Sequence, residues 1–197
     1  MKQWILVCIC FSLMQNITGQ DSSNTSLSSD LNSLKDNGIT NNQLGSMYET
    51  TDDNVLNAPL PAKFDNLKEA LMVNHFPQTV YASTDESVKS NYQWKHTTSI
   101  MSLRASVTVI EFGAYIFYNN QWNLRTTMKP KQFDKLFDTK KGKLKAGQPY
   151  TFKDNWRNND QLFGGWAMWY FIAINEAGEK VYGVGKLKTV GSLSVNQ

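Results

Sequence analysis

The chain has two histidines, His75 and His96, and they are the first residues to weigh for chemistry. A catalytic zinc takes about three protein ligands, commonly at HxH or HExxH spacing, and neither spacing occurs. Met72 lies near His75 and Met101 near His96, a soft donor set that would suit copper in an exported protein. Met72 reads better as packing in a helix and Met101 as packing in a strand, so no metal and no cofactor is expected. His96, within Trp94-Lys95-His96-Thr97-Thr98, is the better candidate for acid–base work. Glu111 is the one acid in an unusual position, because strict alternation gives it the same face as Val107 and Val109. A buried carboxylate has a raised pKa and can serve as a general acid, and glycosidases use such acids in pairs. No second acid matches it. An ion pair with Arg104, Arg125 or Arg157, or a bulge at Gly113 that turns Glu111 outward, is the competing expectation. A small secreted hydrolase using Glu111 or His96 as acid or base is therefore the alternative reading. No G-x-S-x-G turn is present, and Gly183-Val184-Gly185 lacks the third glycine and the helix of a dinucleotide site. Those two glycines read as strand positions where another backbone packs closely.

Aromatic and basic side chains carry the leading reading. Five of the six tryptophans (Trp94, Trp122, Trp156, Trp166 and Trp169) lie between residues 76 and 190. Rings stack on sugar faces or wall apolar pockets, with Asn and Arg supplying hydrogen bonds. Asn155-Trp156-Arg157-Asn158-Asn159-Asp160 reads as a loop, where binding residues concentrate. The expected ligand-binding surface is Trp122, Arg125, Asn155, Trp156 and Arg157, with a glycan, an anionic polymer or an envelope protein as partner. A basic run from Arg125 to Lys145 also contains Asp134 and Asp138. Lys131 with Asp134 and Lys135 with Asp138 are i,i+3 neighbours, the pattern of a solvated helix face. The chain is expected to be a non-catalytic binding module.

Export follows from the first residues. Lys2 is followed by an apolar run from Trp4 to Met14, then by small residues at Thr18 and Gly19, the layout of a signal peptide cleaved after residue 19. The run is shorter than the ~20 residues a spanning helix needs, so no membrane span is expected after cleavage. Secretion or a periplasmic location is expected, which argues against nucleic acid as partner. Cys8 and Cys10 both fall inside the signal, so the mature chain would have no thiol and no disulfide.

Residues 20–61 read as an acidic, Ser/Asn-rich flexible linker, residues 62–190 as one globular β-rich domain, and 191–197 as a flexible tail. Residues 20–62 carry six acids and one base, whereas 63–197 carry eighteen bases and eleven acids. That asymmetry suits a basic domain on an acidic tether.

Within the domain, Phe64, Leu67, Ala70 and Leu71 fall on one helical face. Thr79–Ser83, Tyr92–Met101 and Leu103–Tyr118 read as strands, the last broken near Gly113. Asn119-Asn120 marks a tight hairpin. Thr127–Asp138 reads as a helix with Thr127 as N-cap and Pro130 in its first turn. Residues 165–175 and 180–189 read as a hairpin around Glu176-Ala177-Gly178-Glu179. Trp166–Ile174 is apolar on both faces, so something must cover both sides. The expected fold is α+β, mainly antiparallel β: a compact β-sandwich-like domain with two short helices packed against the sheet, a second sheet on one side of Trp166–Ile174 and the helices on the other.

Overall fold

The computed structural model describes residues 52–84 and 89–194. The signal, the thiols and most of the linker lie outside the described residues. Among these residues ten strands form two sheets: β1 Lys68–Glu69, β2 Leu71–Phe76, β3 Thr79–Ala82, β4 Tyr92–Ser102, β5 Val107–Tyr118, β6 Gln121–Met128, β7 Lys143–Leu144, β8 Pro149–Asn159, β9 Gly165–Asn175 and β10 Lys180–Leu193. Among the described residues two α-helices accompany them, α1 Asp52–Leu56 and α2 Pro130–Phe137. The large sheet runs β1-β10-β9-β5-β6, with β3 further along β10 and β7 on β5; the small sheet runs β2-β4-β8. The long pairs are antiparallel, while β1 and β3 lie parallel to β10. The fold is thus α+β and mainly antiparallel, as the strand pattern predicts.

The hairpins fall where local chemistry puts them. Asn119 and Asn120 adopt φ of 51° and 57° between β5 and β6, the positive values a two-residue primed turn needs and asparagine tolerates. An Asn120→Ala change is expected to lower stability by about 1 kcal/mol, because alanine loses that tolerance; a urea midpoint measures it. The β9–β10 hairpin closes at Gly178, φ 82°.

Strand β9 is covered on both faces. Ala167, Trp169, Phe171 and Ala173 join one core with Leu71, Val73, Trp94, Ile100 and Phe152 of the small sheet. Phe133 and Phe137 of α2 enter that same core, where Phe112 and Phe171 stack with centroids 5.8 Å apart. The helix therefore lies on the same side of β9 as the second sheet, not on the opposite one. Trp166, Met168, Tyr170 and Ile172 form a second core whose lid is the N-terminal segment, with Val55 and Phe64 buried in it.

Three expectations need correction here. No helix runs from Phe64 to Leu71. A short 3-10 turn at Ala62–Phe64 is followed by Asn66 at φ 63°, then by β1 and β2. The reason is a competing period: Leu71, Val73 and His75 alternate inward along β2. Phe64 and Leu71, expected on one face, serve opposite sides of the large sheet. Second, the ordered domain does not start at residue 62: Val55 is fully buried, and Lys186 Nζ donates to the carbonyls of Val55 and Leu56 at 3.2 and 3.4 Å. It also extends past residue 190, since β10 ends at Leu193. Third, Thr127 belongs to β6. The backbone N–H of Lys129 donates to Gln132 Oε1 at 2.9 Å at the start of α2, with Pro130 at its first position. Asp134 does not serve as a surface partner of Lys131; it accepts from Thr139 Oγ1 and the N–H groups of Lys141 and Gly142, fixing the turn after the helix.

Candidate functional site

The inner face of the small sheet changes character along its length. At one end Leu71, Val73, Ile100 and Phe152 are apolar; at the other, His75, His96, Thr98 and Asn155 are all buried. Buried polar groups need partners, and here they form a chain. The N–H of Trp156 donates to Asn155 Oδ1 at 2.8 Å, and Asn155 Nδ2 donates to Thr98 Oγ1 at 2.6 Å. His75 Nε2 lies 3.0 Å from the Gly185 carbonyl, which can only accept, so Nε2 carries the proton. His75 Nδ1 then accepts from Thr98 Oγ1 at 3.0 Å. Burial, followed by the nearby His96, pushes the His75 pKa down to about 4, and burial lowers that of His96. The two rings meet edge to face at 5.4 Å.

His96 donates from Nδ1 to the Trp94 carbonyl at 3.2 Å. Its Nε2 is therefore a lone-pair acceptor, buried and without a partner in the protein. The two methionines face away from both histidines: Met72 and Met101 are opposite each other in the β2–β4 ladder, on the outward side, with Met72 exposed. A soft-metal set is not assembled. Among the described residues no group of three His, Cys, Asp or Glu could hold a metal ion.

Two rungs beyond the His96–Asn155 pair, Arg157 stands opposite Trp94. Its guanidinium lies 5.3 Å from the Trp94 ring centroid and donates to Thr189 Oγ1 of β10 at 2.7 Å. Burial, followed by the positive charge of Arg125, pushes its pKa down to about 10. Among the described residues no carboxylate pairs with Arg125 or Arg157. Arg125 comes from exposed β6, where the register with β5 shifts between Ala114 and Tyr115.

The expected binding surface is thus brought together only in part. The charge of Arg125 acts on Arg157, and Asn155 lies two residues from Arg157 along β8. Asn155 is in strand β8, not in a loop, and both ends of its amide are used within the protein. Trp156 is half-buried against the core edge, 6.1 Å from Phe152. Trp122 is removed from the site altogether. It is buried in the second core against Phe117 at 5.0 Å, with Lys186 Nζ 5.4 Å from its ring. Thr98, Thr189 and the Gly185 carbonyl complete the polar end; the two threonines escaped the sequence reading, since a strand threonine carries no sign of which side chain will face it.

Glu111 belongs elsewhere. A register shift between Val109 and Glu111 turns it to the N-terminal segment, where its Oε1 pairs with Lys63 Nζ and accepts from Tyr170 OH at 2.7 Å. Tyr170 OH is also 3.1 Å from Thr127 Oγ1. Burial alone would raise the Glu111 pKa, but the bonds from Lys63 and Tyr170 outweigh it and hold the carboxyl below its ordinary range. That is the opposite of what a general acid requires, and the partner is a lysine, not one of the three arginines expected. The side chain is about one-third exposed, so water screens the pair. Glu111→Gln is expected to cost less than about 1 kcal/mol in a urea titration. Its contribution is present above the ordinary carboxylate pKa and fades as pH falls through the lowered one.

No family model matches the chain, and no curated protein matches it. A solved X-ray structure described only as a Northeast Structural Genomics Consortium target aligns over 66% of this chain and 95% of its own, at 15% identity and a TM-score of 0.44. A likeness of that degree assigns neither a family nor an activity. Among the described residues no helix is long and apolar enough to cross a membrane.

Proposed function

We propose that the chain is an exported, non-catalytic binding domain that takes an anionic partner at the Arg125–Arg157 end of the sandwich. The observation that carries this reading is the Arg157 guanidinium, held 5.3 Å from the Trp94 ring and hydrogen-bonded to Thr189, with no carboxylate partner among the described residues and with the positive charge of Arg125 acting on it. A largely buried cation without a carboxylate partner is costly, and an anion that pairs with it offsets that cost. Arginine is also suited to this task, because its planar fork gives a carboxylate, sulfate or phosphate two parallel hydrogen bonds. The lowered pKa of Glu111 and the fully used nitrogens of His75 weigh against the hydrolase and metal-handling alternatives.

Intrinsic fluorescence tests the reading, since Trp94 lies against Arg157. Titration of the purified protein with heparin, inorganic phosphate and benzoate is expected to shift its emission with at least one of the three. The affinity should drop about tenfold in Arg125→Gln, an exposed position whose change leaves the core intact. It should also weaken with added salt. A wild-type protein that responds to none of the three overturns the proposal.

A further inference from the structure

We propose that a cleft at the end of the sandwich remote from Arg157 binds a small zwitterion of the amino-acid type, with its apolar side chain on the cleft floor. The cleft opens where the β4–β5 loop, the join between β1 and β2 and the base of the β9–β10 hairpin meet, and its volume is about 290 Å³. Arg157 pairs with Trp94 near the start of β4, whereas Ser102, beside the cleft, ends that strand. At about 3.3 Å per residue, the strand separates the two places by roughly 26 Å. The cleft floor is apolar: Val107 and Val181, both buried, form it together with Ala70, and Leu103 adds apolar surface at the mouth. Sites for drug-sized ligands begin near ~300 Å³, so this one suits a molecule of a single residue's size.

Charges of both signs line the cleft on walls that are already fixed. Arg104 belongs to the β4–β5 loop, which is tied down by Ser102 Oγ donating to the Ala105 carbonyl at 2.5 Å and by the Leu103 N–H donating to the Ala70 carbonyl at 3.1 Å. Glu179 comes from the hairpin. Asn175 Nδ2 donates to Glu179 Oε2 at 2.9 Å, while Asn175 Oδ1 accepts from the N–H groups of Ala177 and Glu179 at 3.0 and 2.9 Å. That clamp orients the carboxylate and leaves its Oε1 with no donor from the described residues. Among the described residues neither Arg104 nor Glu179 takes part in an ion pair. Lys68 and Glu69 also line the cleft, so its positive and negative charges balance. A purely anionic or cationic ligand meets a like charge there as well as an opposite one, whereas a ligand of both signs answers each with its opposite. Arg104 gives a carboxylate two parallel hydrogen bonds, and Glu179 Oε1 accepts from an ammonium N–H, which a quaternary ammonium lacks. An α-amino acid carries both groups at one end and leaves its side chain for the floor.

L-Leucine, N-acetylleucine and leucinamide separate the contributions, each titrated into the purified protein by calorimetry with backbone amide resonances recorded alongside. L-Leucine is expected to bind at about 1 mM or tighter, and to shift the amides of Leu103, Arg104 and Glu179 rather than those around Trp94. Acetylation removes the ammonium and amidation the carboxylate, and each should weaken binding about fivefold. Arg104→Gln should erase the gap between leucine and leucinamide, and Glu179→Gln the gap between leucine and N-acetylleucine. Both positions are exposed, so neither change disturbs a core. Absence of heat and of amide shifts with L-leucine, shifts confined to the Trp94 end, or equal affinity for the three compounds overturns the proposal. Gaps of unchanged size in the two variants overturn it as well. The anion-binding reading is tested by other probes at the other end of β4 and survives each of these failures.

Discussion

Gly183→Ala should lower the stability of this protein by about 3 kcal/mol or more, a large share of the roughly 5–15 kcal/mol that holds a domain folded. A Cβ at that position would lie 2.3 Å from the Leu71 carbonyl oxygen and 2.6 Å from Leu71 Cβ. Neither atom can swing aside, since one is backbone and the other is attached directly to it, and Leu71 is buried at the contact between the two sheets. Relief would require β2 and β10 to move apart. Gly185 repeats the situation two residues on, where a Cβ would stand 2.7 Å from Val73 Cγ1 and 2.8 Å from His75 Nε2. The intervening Val184 faces the other core and serves as the control. Val184→Ala should cost the ordinary amount for a half-buried valine, on the order of 1 kcal/mol. Equal urea midpoints for Gly183→Ala and the wild type would refute the close approach.

Acid should destabilise the fold well before any carboxylate loses its charge. In the unfolded chain His75 takes up a proton near pH 6.5; in the folded chain it does so only at about 4. Between those values the unfolded form binds more protons, so stability falls with pH and is fully present only above the unfolded value. Over the whole window the loss attributable to His75 approaches about 3 kcal/mol, at 1.36 kcal/mol per pKa unit. His96, also lowered, adds in the same direction. The groups facing His75 are Thr98, the Gly185 carbonyl and His96, none of them a carboxylate that would offset the incoming charge. His75→Phe should flatten the dependence between pH 6.5 and 4, even if it shifts the baseline. Glu111 acts in a lower window, below its ordinary carboxylate range, so a stability–pH curve separates the two.

Much of this architecture can be read from residue order, and the failures have identifiable causes. The two-faced apolar pattern of Trp166–Ile174 correctly demands cover on both sides, and Gly183-Val184-Gly185 correctly marks a close backbone approach. Phe64 and Leu71 misled because a helical spacing and a strand alternation overlap there, and only Asn66 at positive φ separates them. Trp122 and Arg125 looked like one surface, but three residues apart on strand β6 they point to opposite faces. Trp122 sits in the core beneath the N-terminal segment, while the charge of Arg125, at the register shift in the β5–β6 ladder, is felt at Arg157. The candidate site was legible in its arginines, which composition singled out. It was not legible in the His75–Thr98–Asn155 chain, because pairing across three strands depends on register alone.

The parallel pairing of β1 and β3 with β10, and the grip of Lys186 and Lys188 on α1, tie the first described residues to the last. A ribosome adding about 5–20 residues per second delivers β10 on the order of ten seconds after α1. Until then the early strands have no lasting neighbour along that edge, and long-range pairings of this kind form slowly. The nascent polypeptide is thereby held back from premature closure.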